Sequence, residues 1–291
     1  MSTVKAFITR HPVLTYYALV FAISWGGVLI VVGPGGFPGT SAQVESLMPF
    51  VILTFLVGPA FGGPLLIGFV HGRGGLRELL SRLLRWRVAA RWYAVALVTA
   101  PCLMLTVLLA LSLFSSEFLP GIFVSDDKVT LLLVGIATAL GAGFFEELGW
   151  TGFAIPEVRR RYGVLTTGLI VGVLWGAWHL LVYFWVSGTV SGALSLAGYM
   201  FDAFLFLALF RVLMVWVYDG TGSLLVAMLM HGSLTASARI LMPPRIAGVR
   251  LLTFDLVWVA VLCVLLAAIL VNRRQLPGQP LRTQRLWRRA A

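Results

Sequence analysis

Apolar positions in this chain come in long runs rather than in alternation. Eight stretches approach the roughly 20 apolar residues that a helix needs to cross a hydrocarbon core. They are 13–32, 48–70, 92–114, 129–152, 164–185, 193–217, 223–241 and 252–271. Continuous runs of this length predict helices, because only helices and closed barrels satisfy every backbone group inside a bilayer. The expected fold class is therefore all-α, a polytopic membrane protein with about eight transmembrane helices. Pro59 and Pro64 interrupt the second run, which a membrane helix tolerates when its neighbours satisfy the freed backbone groups. After it, GLRELLSRLLRWRV (Gly75 to Val88) spaces leucines along one side and arginines along the other. That pattern predicts an amphipathic helix lying in the membrane interface.

Lys5 and Arg10 precede the first run, which is too long for a signal-peptide core and leads into GPGGFPG rather than a cleavage site. A retained first helix is expected. Residues 1–271 read as a single transmembrane domain with a motif core at 129–241. Residues 272–291, NRRQLPGQPLRTQRLWRRAA, lack apolar periodicity and read as a flexible basic cytosolic tail.

Composition agrees with the pattern: 59% of residues are hydrophobic and 11% charged, against about 25% charged in soluble domains. The net charge of +11 does not indicate nucleic acid, because the arginines sit in short patches flanking apolar runs. With the N-terminus inside and the spans alternating, 18 of the 22 Lys and Arg fall on the inner side, Arg211 among them at the end of span six. This bias predicts a multi-pass protein of the cell membrane with both termini cytosolic, in contact with anionic headgroups. Cys102 and Cys263 lie inside apolar runs and are expected to be small buried hydrophobes.

Ionisable groups inside a membrane cost about 2.5–3.5 kcal/mol each on the insertion scale and mark function by default. Of the four histidines, His179 and His231 fall within spans, as do Glu146, Glu147 and Asp202. Glu146 and His179 are 33 residues apart, about the turn PEVRRRYG (156–163), so an antiparallel hairpin brings them to similar depth. Counted from Pro156, Glu146 lies about 15 Å deep, and His231 lies about 12 Å beyond Ser223 on the same side. Glu146 and Glu147 differ by about 100° around their helix. One acid can face the histidines while the other, which shares a face with Thr151, braces a neighbouring helix. A carboxylate and two imidazoles can activate water and stabilise an oxyanion, which suffices for amide hydrolysis. The same set could bind zinc, could be a structural polar network, or could move protons or ions.

The segments EELGWTGFAIP, LWGAWHLL and TGSLLVAMLMHGSLTAS carry a resemblance. In order, and each on its expected span, they resemble the three motifs of the CPBP family, the CAAX prenyl protease and bacteriocin-processing (Abi) intramembrane proteases. The resemblance implies a catalytic base at Glu146 with Glu147 beside it. It implies His179 as helper of the water, with Trp175 where Phe is more usual. It implies His231 with Thr235 at the oxyanion. Two positions depart from the motifs. Thr151 stands where arginine is expected, so Glu147 must be protonated or find another partner. Thr235 stands where asparagine is usual. The implied function is that of an intramembrane glutamic endopeptidase cutting a membrane-associated peptide or protein, with the site open to the cytosolic half. No cofactor is required, although zinc is possible. The alternatives are a catalytically weak or inactive member acting as an interaction or immunity protein, and an ion- or proton-coupled transporter.

Overall fold

A computed structural model describes residues 3–189, 198–244 and 246–272. The tail expected over 272–291 lies outside the described residues beyond Asn272, as does the start of the sixth predicted run. Among the described residues the regular elements are helices and no strand occurs.

A short helix α1 (Thr3–Arg10) leads into α2 (Pro12–Val32), with Pro12 in the first turn, where its missing N–H costs nothing. The other long helices are α3 (Ser41–Leu83), α4 (Ala90–Ser112), α5 (Lys128–Arg159), α6 (Val164–Ser187), α7 (Gly198–Thr221), α8 (Leu224–Leu241) and α9 (Gly248–Asn272). From α2 onward, eight helices are long and apolar enough to cross a membrane. Local signals fix several starts. Thr40 and Gln43 form a reciprocal capping box before α3, Asp127 accepts from the Thr130 N–H before α5, and Ser223 accepts from the Val226 N–H before α8.

α3 absorbs both the second predicted span and most of the predicted interfacial helix. The two parts join at Gly72, whose φ of 63° and ψ of −158° are open only to glycine and turn the chain. Beyond the kink the leucine and arginine faces do not separate as expected. Leu76 and Leu80 are exposed, whereas Arg82 is 1% exposed. Arg82 donates to the Tyr218 hydroxyl at 2.9 Å and to the Gly152 carbonyl at 3.1 Å. The polar face of this segment thus ties α3 to α5 and α7. α5 also runs past Pro156, where the sequence suggests a turn, and ends only at Arg159.

Helix association in lipid depends on close backbone approach and interhelical bonds, since lipid tails are as apolar as leucine. α6 meets α7 through Gly168, Gly172 and Gly176, one turn apart. A Cβ added at Gly168 would lie 2.5 Å from the Val212 Cα, and one at Gly172 or Gly176 would collide with the backbone of Ala208 or Ala203. α5 packs on α8 in the same way, with Gly143 against the Met228 carbonyl. α2 packs on α3, and α3 on α5. These contacts bring α5, α6, α7 and α8 around one centre. Two π-turns widen the bundle there, Trp150–Ala154 on α5 and Asp202–Phe206 on α7, a feature frequent beside functional sites.

Both cysteines are free and exposed rather than buried. They sit on the outer faces of α4 and α9, the faces a membrane helix turns to lipid, so an apolar environment still suits them.

Candidate active site

Of the residues expected from sequence, Glu146, Trp175, His179, His231 and Thr235 line one cavity of about 640 Å³. Glu147 and Thr151 lie behind it and hold the site in place. The 100° step between the two acids does the sorting.

Glu147 is fully buried. Its Oε1 accepts from Arg211 Nη1 on α7 at 2.7 Å and stands 2.7 Å from His231 Nδ1 on α8. Its Oε2 accepts from the Thr151 hydroxyl one turn along α5. One carboxylate thus joins three helices. The cation expected at position 151 is supplied from α7 instead. The sequence places Arg211 at the inner end of its span. It lies instead in the interior, 0% exposed, its guanidinium 4.0 Å from the centre of the Trp175 ring. The guanidinium is paired by charge at Nη1 and stacked on a π face, while its Nε and Nη2 have no hydrogen-bond partner among the described residues.

Glu146 points the other way. Its Oε2 accepts from the indole N–H of Trp175 at 2.8 Å and of Trp150 at 3.2 Å. His231 Nε2 stands 3.9 Å from the same oxygen. Its Oε1 accepts no hydrogen bond among the described residues and is available to water. Trp150 escapes the sequence reading because a tryptophan in an apolar run signals core packing, not a donor.

His179 has its Nδ1 2.9 Å from the Trp175 carbonyl. A carbonyl can only accept, so Nδ1 carries the proton and Nε2 keeps the lone pair. The ring is wedged between Trp178 at 4.8 Å and Tyr183 at 5.5 Å between centres. Thr235 lies one turn beyond His231 on the cavity wall. Beneath the carboxylates, Tyr16, Tyr17 and Trp178 pack around Trp150 at centroid distances of 5.8 Å or less, with Phe153 5.3 Å from Tyr16, and form a floor.

The floor sets the direction of access. From Glu146 the cavity extends to Ala137 and Thr138 on α5, from His179 to Val186 on α6, and from His231 to Met242 just past the end of α8. It therefore opens away from the turns at 160–163 and 222–223. The expectation that it opens toward the half bearing the arginine-rich turns is corrected: the buried aromatic layer closes that side. The far end holds Tyr183, whose hydroxyl donates to Asp202 Oδ2 at 2.8 Å, together with Asp255 of α9. Asp255 is absent from the acids singled out above, although it interrupts LLTFDLVWV inside the last predicted span. Among the described residues no group of three or more His, Cys, Asp or Glu side chains stands at metal-holding spacing.

With this geometry in hand, the comparisons fall on the same helices. The family model described as Type II CAAX prenyl endopeptidase Rce1-like matches residues 128–237, a stretch that begins with α5 and ends two residues past Thr235. The CAAX prenyl protease 2 of Methanococcus maripaludis is 25% identical over 170 residues, 57% of this chain and 55% of its own length. The chain thus aligns with about half of that curated relative. The motif glutamates, both site histidines and Arg211 all lie inside the matched segment, so it is over the site helices that the chain is similar to the CAAX prenyl endopeptidases.

Proposed function

We propose that this protein is an intramembrane endopeptidase that hydrolyses a peptide bond of a membrane-associated peptide or protein, with Glu146 as the base on water. The observation that carries the proposal is the unequal treatment of the two adjacent acids. Glu147 is neutralised by Arg211 and consumed by structure. Glu146 is oriented by two indoles on one oxygen and faces the cavity with the other.

A water on Glu146 Oε1 would give its proton to the carboxylate while its oxygen attacks the carbonyl carbon. The carboxylic acid then returns the proton to the departing amine as the C–N bond breaks. His179 Nε2, unprotonated by the bond at Nδ1, can accept the second hydrogen of that water and fix its direction. His231 is held at Nδ1 by Glu147, so Nε2 is the atom free to act at the oxyanion. With a hydrogen on Nε2, His231 would donate to the oxyanion. The Thr235 hydroxyl would be the second donor. The apolar wall suits a lipid-embedded or lipidated peptide, a class that includes prenylated C-termini and bacteriocin precursors.

The chemistry needs no metal in this proposal, because Glu146 takes the proton from water directly. Glu146→Gln should abolish cleavage in comparative membrane peptidomics, with purified protein in nanodiscs indifferent to chelators. Retained cleavage in that variant refutes Glu146 as the base. Loss with a chelator, restored by zinc, refutes the metal-free route. The closed floor favours hydrolysis over ion passage. The positive-inside bias keeps both termini cytosolic in this proposal. The cavity mouth then faces the opposite leaflet, and a C-terminal reporter fusion tests the orientation.

A further inference from the structure

The outer end of the cavity holds two acids that the hydrolytic step does not use. Asp202 sits at the π-turn of α7 and accepts from Tyr183, so its carboxylate acts as an acceptor. Asp255 of α9 is 6% exposed, and its Oδ2 has no hydrogen-bond partner. The two helices touch where the acids lie: a Cβ built on Gly198, one turn before Asp202, falls 3.6 Å from Asp255 Oδ2. Both side chains line the same cavity as Glu146. Arg239 lines it too, yet no Lys or Arg pairs with either acid among the described residues.

A buried carboxylate without a partner is costly, more so in a membrane than in a soluble core. A second carboxylate facing the same space makes it worse, since each raises the cost of ionising the other, and Asp202 faces it while holding the Tyr183 hydroxyl. A cation placed between them removes both penalties. From this we infer that Asp202 and Asp255 form a subsite for a basic group of the substrate, a lysine or arginine side chain or a free amine. The inference deepens the proposed proteolysis and rests on it for the position of the scissile bond. His179 and Tyr183 are stacked at 5.5 Å, and Tyr183 bonds Asp202 at 2.8 Å. Asp202 therefore lies no more than about 11 Å from the His179 ring, at most about three residues of extended chain. The preferred substrate carries its positive charge within about three residues of the bond that is cut, on the side pointing to the cavity mouth.

The probe is a set of palmitoylated peptides of Leu and Ala, each with one Lys, Glu or Leu walked along the sequence. They are presented to the protein in nanodiscs, and products are read by mass spectrometry. Lys peptides should be cut at least about tenfold faster than their Leu partners, at a fixed spacing from the Lys, and Glu peptides slowest. Asp202→Asn and Asp255→Asn should each lower the Lys-to-Leu ratio, and the pair should bring it close to one. A ratio near one in the wild type, a cut site that ignores the Lys, or a ratio unchanged in both variants would overturn the subsite. Should no peptide be cut, binding of fluorescent Lys and Leu peptides to the Glu146→Gln protein decides separately. A Lys preference lost in the Asp255→Asn background supports the subsite while the proteolytic proposal fails. Equal affinity for the two peptides, or binding of neither, refutes the subsite.

Discussion

Replacing Arg211 by Met removes the counter-charge of Glu147 while keeping a long side chain in its place. The guanidinium and carboxylate are 2.7 Å apart, and neither side chain is exposed. Breaking a buried pair from one side costs about 3–5 kcal/mol, because the remaining charge keeps its desolvation penalty. An ordinary interhelical hydrogen bond in a membrane protein is worth only about 0.6 kcal/mol on average. The two magnitudes separate cleanly. Reversible unfolding in mixed micelles should be measured for Arg211→Met, Glu147→Gln and the double variant. Arg211→Met should lose several kcal/mol, and the double variant should lose less than the sum, with a coupling of about 2 kcal/mol or more. Thr151→Arg should recover part of the loss in the Arg211→Met background, since position 151 lies one turn from Glu147. The same change alone should destabilise, because Thr151 is fully buried and a cation already occupies the site. Activity supplies a readout that a purely structural loss would not move. Glu147 also holds His231, so kcat should fall more than KM rises. A coupling near the hydrogen-bond average, or a Thr151→Arg change that worsens the Arg211→Met variant, would show that Arg211 merely fills space.

Three further outcomes follow from the packing. Gly172→Val should abolish folded yield, because a Cβ there already collides with the Ala208 backbone across α6 and α7; normal yield and melting temperature would refute that contact. Arg82→Leu should destabilise by about 3 kcal/mol or more, at the scale of an unpaired buried polar site. Arg82→Lys should not rescue it, since one ammonium cannot match the fork that reaches both Tyr218 and Gly152; full rescue in a melting experiment would contradict this. In sealed vesicles Cys102 and Cys263 should resist a charged maleimide and react only slowly with a permeant one, since lipid keeps the thiols protonated, and after denaturation in SDS both should react. Labelling of either by the charged reagent in vesicles would place its helix face in water.

What the sequence could reveal follows from which forces are local. The spans were legible because hydropathy over 20 residues is a one-dimensional property, and α4, α6 and α8 begin and end within about two residues of expectation. The three motif histidine and glutamate positions were legible because hairpin depth follows from counting at a fixed rise. The kinked continuation of α3 was not legible, since one glycine at Gly72 redirects an otherwise periodic leucine pattern. Arg211 was misplaced for a related reason. Its position in a run indicates membrane depth only roughly, and which face it takes depends on the partner across α7. Asp255 went unweighed because a single acid in a run of leucine, valine and tryptophan is a faint signal until another helix places Asp202 beside it.

The adjacent glutamates show why a membrane site needs both acids. A lone carboxylate able to take a proton from water must be desolvated, yet it must also be held at a fixed angle. In lipid, the simplest fix, a salt bridge, would lower its basicity and block it. Here the two demands fall on neighbouring residues. Glu147 takes the arginine, the threonine and the imidazole and locks three helices together. Glu146 inherits the fixed backbone, and neutral indole donors orient one of its oxygens and leave the other open. Moving the arginine from position 151 to α7 preserves this division, because the charge still reaches Glu147 and still stays off Glu146. In the proposed hydrolysis, what matters is where the guanidinium arrives, not which helix carries it.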